Sequence, residues 1–135
     1  MRTTILLVFA GMLLTEVALA GAVVRRGSIP NSYIGSWTRG ADSCGAGRKA
    51  IIKLSATRYV SSGMKCIVRG VYETAGVNGS IYSARMQCSR AGRSRGTSAN
   101  LIIEPGGGDR VLMGSDFSNL KSYRRCQSNK RTDLR

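Results

Sequence analysis

Residues 64–88, MKCIVRGVYETAGVNGSIYSARMQC, decide the fold. Apolar and polar residues alternate on either side of Asn78-Gly79, a dipeptide typical of tight hairpin turns. Because successive side chains of a strand point to opposite faces, the stretch predicts an antiparallel hairpin with one buried face. Lys65, Arg69, Arg85 and Gln87 are expected on the exposed face. The residues predicted for the buried face are Met64, Cys66, Val68, Tyr72, Tyr82, Ala84, Met86 and Cys88.

Short apolar runs separated by turn residues extend this pattern in both directions. A helical turn is predicted at 116–120, and no segment has the periodicity of a long helix. Further strands are predicted at 35–38, 50–54, 57–60, 99–103, 110–113 and 121–126. The pattern predicts an all-β fold, a small antiparallel β-barrel or sandwich stapled by two disulfides.

Residues 1–20 have the three parts of a secretory signal peptide. Arg2 is followed by an uncharged apolar run at 5–14 and by the small-residue motif Ala18-Leu19-Ala20, so Gly21 is the expected mature N-terminus. An uncleaved anchor is the alternative. The predicted domains are a signal peptide at 1–20, a flexible N-terminal segment at 21–33, one β-domain at 34–126 and a basic tail at 127–135. We therefore expect a secreted, periplasmic protein with no membrane span in its mature chain.

The four cysteines Cys44, Cys66, Cys88 and Cys126 allow three disulfide connectivities. The preferred pairing is Cys44 with Cys66 and Cys88 with Cys126, because bridges between directly paired neighbouring strands are less common than bridges from a strand to a loop. A zinc site is the alternative. It is disfavoured since the chain has no C-x-x-C pair and no histidine.

The chain is strongly basic, with a formal net charge of +14 that loss of residues 1–20 leaves unchanged. Such a surface attracts nucleic acid and anionic envelope polymers. The alternative is that the charge only maintains solubility. Tyr59 beside Arg58, and Tyr123 beside two arginines, resemble the aromatic and basic pattern of single-strand binders. The residues predicted to contact a polyanion are Arg90, Arg93, Arg95, Arg124 and Arg125.

The absence of histidine excludes His-dependent triads and His-ligated metal sites. A pair of catalytic carboxylates would have to come from Asp42, Glu73, Glu104, Asp109 and Asp116. Most of these lie at turns, where turn or cap chemistry is the ordinary role. We therefore predict no catalytic residue, no metal and no cofactor. Trp37, the single tryptophan, is predicted to plug the core, with ligand stacking as the alternative.

Gly35-Ser36-Trp37, the four cysteines and the closing Tyr123-Arg124-Arg125-Cys126 resemble a group of small secreted, cysteine-containing β-proteins of Gram-negative bacteria. The resemblance covers residues 34–126 and implies architecture without an assigned activity. The Gly-x-Trp opening is also similar to lipocalin-like barrels, in which the tryptophan plugs one end. Periplasmic lysozyme inhibitors and metalloprotease inhibitors are similar in architecture, but their inhibitory loop motifs are absent from this sequence.

These observations favour a non-enzymatic secreted binding protein, with a protein inhibitor as one form of it. The alternative is a cationic protein that binds envelope polyanions or nucleic acid by charge. A histidine-free hydrolase is a minority hypothesis.

Overall fold

The computed structural model describes residues 21–39, 44, 51–93 and 96–127. The predicted signal peptide, Arg95 and all of the basic tail except Gln127 lie outside these ranges. Two short 3₁₀ turns occupy Asn31–Tyr33 and Phe117–Asn119, the second inside the predicted helical turn. The strands are β1 Val24–Arg26, β2 Gly35–Arg39, β3 Ile51–Leu54, β4 Arg58–Ser61, β5 Met64–Gly76, β6 Gly79–Arg90, β7 Thr97–Pro105, β8 Arg110–Gly114 and β9 Lys121–Arg125.

Strands β2 to β9 form a closed antiparallel barrel in which each strand pairs with its sequence neighbours. Closure occurs between the first and last of these strands, where Trp37 is the Cα partner of Arg125. This confirms the predicted all-β fold and selects the barrel over the sandwich. A closed barrel has no free edges for unwanted strand pairing. Buried residues of β2 to β8 form one core inside it, and the partly buried Tyr123 of β9 packs against this core.

The segment predicted as a flexible leader contains regular structure. β1 pairs with β5, with Val24 opposite Glu73. Ile29 is only 1% exposed, and its backbone N–H donates to the Ala56 carbonyl at 2.9 Å. The buried Ile29 side chain closes this end of the barrel, which the 3₁₀ turn Asn31–Tyr33 also covers.

A β-bulge between Val68 and Gly70 shifts the register of the β5–β6 hairpin. A one-residue shift moves every following side chain to the other face. The prediction that Tyr72 shares the buried face of Met64 and Cys66 is therefore wrong. Tyr72 lies on the outer face, with the Arg85 guanidinium 5.2 Å from its ring centre.

Two disulfides form, as predicted, but the preferred pairing is wrong. The bridges are Cys44–Cys126 and Cys66–Cys88. Cys66 and Cys88 are direct cross-strand partners in the hairpin, with their Cα atoms 4.0 Å apart. Cys126 follows β9, and its N–H donates to the Ser36 carbonyl at 2.8 Å on β2, the strand that precedes Cys44. Adjacency of β5 and β6 therefore determines the Cys66–Cys88 pairing. Disulfides of this kind are typical of oxidising, extracytoplasmic compartments.

Candidate functional site: the open end of the barrel

The two ends of the barrel differ. The end at which β2 starts is closed by Ile29, Tyr33 and Trp37. The opposite end, where β2, β4, β6 and β8 finish, contains a cavity of about 430 Å³. Because the strands alternate in direction, β2, β4, β6 and β8 end here, and β3, β5, β7 and β9 begin here.

The wall of the cavity is mostly apolar. Met64, Met86 and Met113 all line it, and they are the only methionines in residues 21–135. Ile52 and Leu101 add aliphatic surface. Thioether side chains are flexible and polarizable, so such a wall adapts to apolar ligands of different shapes.

Two tyrosines on the wall, Tyr59 and Tyr123, contribute phenol groups to the cavity, which Asn100, Ser115, Asn119 and Lys121 also line. Burial raises the pKa of Tyr123, the neighbouring Tyr59 raises it further, and Arg39 acts in the opposite direction. The Tyr123 phenol is therefore a neutral hydroxyl near neutral pH, able to donate or accept hydrogen bonds.

Cations surround the mouth of this cavity. Cross-strand partners share a face, and Arg39, Arg90 and Lys121 are partners of the inward-facing Tyr123, Met64 and Met113. The three cationic side chains thus belong to the inward-facing set at the open ends of β2, β6 and β9. Arg93 follows in the β6–β7 connection and borders a smaller recess that Met64 and Arg90 also line.

Among the described residues, Asp116 is the carboxylate at this end, and local groups occupy it. It accepts hydrogen bonds from the Ser118 N–H, Asn119 Nδ2 and Ser115 Oγ at 2.8–3.0 Å. The Asn119 amide, followed by the Ser115 hydroxyl, lowers the pKa of Asp116. Asp116 therefore caps the turn Phe117–Asn119 as a carboxylate. Arg39, Arg90 and Lys121 outnumber it among the described charged groups at the mouth.

Trp37 lies at the closed end, away from this cavity. It is 3% exposed, and its indole N–H donates to the Tyr33 carbonyl at 3.0 Å. The Arg125 guanidinium covers the ring at 4.3 Å from its centre. The same guanidinium donates to the carbonyls of Ile34, at 2.7 Å, and Ser32. We call Trp37, Arg125 and the carbonyls of Ser32 and Ile34 the closed-end lock.

The lock gives Gly35 a specific role that the sequence analysis missed. Gly35 has a φ of +141°, a conformation that side chains rarely adopt. A Cβ atom there would also meet Arg125 Nη1 at 2.9 Å. Glycine before Ser36-Trp37 thus allows the guanidinium to approach the β2 backbone.

The residues predicted to contact a polyanion do not form one cluster. Arg90 and Arg93 lie exposed at the open end, and Arg95 is outside the described residues. Arg124 lies on the outer face, where it is the Cα partner of Thr38 and Arg110. Arg125 belongs to the closed-end lock. Tyr59 is buried and Tyr123 half-buried, both inside the barrel, so neither joins the outer basic surface.

The described carboxylates are separated. Glu73 lies towards the closed end, where Arg26 Nε contacts its Oε2 at 2.5 Å and Tyr82 donates to its Oε1 at 3.3 Å. Hydrogen bonding by Ser80, and then by Arg26, lowers the pKa of Glu73. Glu104 lies on β7 and Asp109 in the β7–β8 turn, whereas Asp42 is outside the described residues. No group of three or more potential His, Cys, Asp or Glu metal ligands occurs within the described ranges.

A larger depression, of about 780 Å³, borders Cys44 and Cys126 on the outside of the barrel. The neighbours of Cys44 on both sides lie outside the described residues, so we assign no site there. No helix in the described part of the chain is long and apolar enough to cross a membrane.

Comparison with protein-family models, with curated proteins and with solved structures finds no match.

Proposed function

We propose that the protein is a secreted, non-enzymatic binding protein whose ligand enters the open end of the barrel. The ligand is a small molecule with an apolar body and an acidic head group. The observation that carries this proposal is the apolar cavity of about 430 Å³ with cations around its mouth. Sites for small molecules typically enclose about 300–1,000 Å³ and combine apolar walls with a few polar groups. The N-terminal pattern and the two disulfides support secretion.

Each part of the proposed ligand corresponds to a part of the cavity. An apolar chain would replace water along Met86, Leu101 and Met113, and burial of apolar surface contributes about 25 cal/mol per Å². An acidic head at the mouth would lie near Arg39 and Lys121, with the Tyr59 and Tyr123 hydroxyls below. Charge-assisted hydrogen bonds to such a head are roughly twice as strong as neutral ones.

The test is calorimetric titration with decanoate and with decanol, which have the same chain and different heads. The proposal predicts that decanoate binds more tightly and that Lys121→Gln removes most of this difference while changing decanol affinity little. Ala99→Phe places a ring in the cavity wall and should abolish binding of both. Ala75→Phe, at an exposed position near the closed end, is the matched control and should leave both affinities unchanged.

Absence of binding by both probes, or equal effects of Ala99→Phe and Ala75→Phe, would refute the cavity as the site. Equal affinity for decanoate and decanol in the unaltered protein would instead refute the acidic head group.

Polyanion binding is a second candidate function, favoured by the excess of exposed cations. Only Glu73, Glu104, Asp109 and Asp116 contribute carboxylates within the described residues, against many more arginines and lysines. Retention on a phosphate-polymer matrix that declines steeply with salt tests this function, because bound phosphates release counterions. Retention that does not depend on salt would contradict it.

A further inference from the structure

The outer face of the barrel is electrostatically uneven. Strands β1, β3, β4, β5 and β6 contain one carboxylate, that of Glu73. Glu73 faces inward, as the partner of Tyr82, and pairs with Arg26. Within these described strands the outward-facing set therefore contains cations and no carboxylate. We call this surface the basic face; its cations are Arg25, Lys53, Arg58, Lys65, Arg69 and Arg85, all exposed.

The strand register makes the basic face continuous. Lys53 is opposite Val60, which is opposite Lys65. On the same two strands, β4 and β5, Arg58 is opposite Ile67 two residues further along. Neighbouring strands lie about 4.8 Å apart and alternate side chains about 6.7 Å apart along a strand, so the charges recur at intervals comparable with those between phosphates of an extended polymer.

The bulge adds two features to this face. It places Arg69 at the irregularity between Val68 and Gly70, and it turns Tyr72 outward. Tyr72 is the Cα partner of Arg25 and lies under the Arg85 guanidinium. Since Arg85 covers this ring, the outward set of β1 and β3–β6 offers no free aromatic platform for stacking bases. Charge, rather than base identity, is what the face can recognise.

A groove of about 500 Å³ crosses the basic face. Val60 and Ile67 line it, together with Arg58 and Lys65. Ile67 is 49% exposed. A groove with apolar and cationic walls suits a linear chain that carries regularly spaced anions on a less polar backbone.

We propose that the basic face binds linear phosphate polymers through their backbone phosphates. This inference rests on the second candidate function and is independent of the ligand in the cavity. It assigns the footprint to Arg58, Lys65, Arg85 and their neighbours on the face. The arginines of the β6–β7 connection, which the sequence analysis predicted to contact a polyanion, then lie outside the main contact surface.

The experiment compares two triple variants that remove equal charge. The face variant is Arg58→Gln, Lys65→Gln and Arg85→Gln; the control is Arg90→Gln, Arg93→Gln and Arg124→Gln. Affinities for oligothymidylate and for linear polyphosphate are measured at several salt concentrations. Loss of three phosphate contacts should reduce the slope of log affinity against log salt by about 2, at about 0.7 per contact for single strands. The control should keep the slope of the unaltered protein.

A double variant, Lys53→Gln with Lys65→Gln, omits Arg85 and its contact with Tyr72. It should reduce the slope by about 1.4 on the same scale, which keeps the test valid if the triple variant is unstable.

Equal slopes for the two triple variants would overturn the footprint while leaving polyanion binding intact. Binding of oligothymidylate without binding of polyphosphate would overturn recognition of the phosphate backbone. Binding of neither polymer by the unaltered protein would overturn both the footprint and the second candidate function.

Discussion

Replacing Arg125 by methionine tests the closed-end lock. Methionine preserves much of the side-chain volume but removes the guanidinium that covers Trp37 at 4.3 Å and donates to the Ser32 and Ile34 carbonyls. A desolvated cation–π contact contributes about 2 kcal/mol, and a hydrogen bond from a charged group about 1.5–3 kcal/mol. Water regains access to the exposed Ser32, which reduces the loss. We expect a decrease in the free energy of unfolding of about 3 kcal/mol.

The assay is urea denaturation followed by the fluorescence of Trp37, the single tryptophan. At the slopes typical of small domains, the expected loss lowers the urea midpoint by about 1–2 M. Arg124→Met is the matched control, because it removes the same charge from the same strand on the outer face. It should leave the midpoint nearly unchanged. Equal midpoints for the two variants would refute the lock.

Trp37→Ala should reduce stability by about 3–5 kcal/mol, as large aromatic truncations do, and the native protein should show blue-shifted emission; water-exposed emission would contradict burial of Trp37. Peptide mapping without reduction should recover Cys44 linked to Cys126 and Cys66 linked to Cys88, with no free thiol in either pair; any other linkage would contradict the barrel register. Burial, and then Tyr82, raises the pKa of Tyr33, and burial with Tyr59 raises that of Tyr123. Below the ordinary pKa of tyrosine, the contribution of these two side chains to stability is complete. As pH rises, their phenols ionise in the unfolded chain before they ionise in the folded protein. Stability should therefore fall above about pH 10, and the paired variant Tyr33→Phe, Tyr123→Phe should flatten that fall in urea midpoints; an unchanged fall would contradict it.

The barrel could be predicted from the sequence largely because alternation and turn residues are local signals. Asn78-Gly79 located the hairpin, and the apolar positions of β6 gave its buried face correctly. The other strands of the barrel were predicted from short apolar runs separated by turn residues.

The bulge is what the sequence analysis missed, and it accounts for the error at Tyr72. Between the turn and Gly70, partners follow one register, in which Gly76 faces Gly79 and Gly70 faces Arg85. Continued without interruption, that register would place Cys66 opposite Ser89. The bulge moves the pairing by one residue, so that the two cysteines face each other. A glycine inside a strand pattern, here Gly70, is a known signal of such a bulge.

The candidate site could not be predicted because it depends on closure of the sheet. Met64, Met86 and Met113 are far apart in the sequence and meet only when β5, β6 and β8 curve around one interior. The closed-end lock is similar: Arg125 resembled a surface cation in a basic run, and only the β2–β9 pairing places it on Trp37.

Binding at the open end is tested most directly by NMR of protein labelled at the methionine methyl groups, titrated with decanoate. Met64, Met86 and Met113 all line the cavity, so each reports from its wall. Methionine-to-leucine variants assign the three resonances, and Ala99→Phe serves as the blocked control. The proposed function predicts saturable shifts of all three resonances that Ala99→Phe abolishes. Resonances that remain unmoved while decanoate binds, or that move equally in the blocked variant, would contradict it.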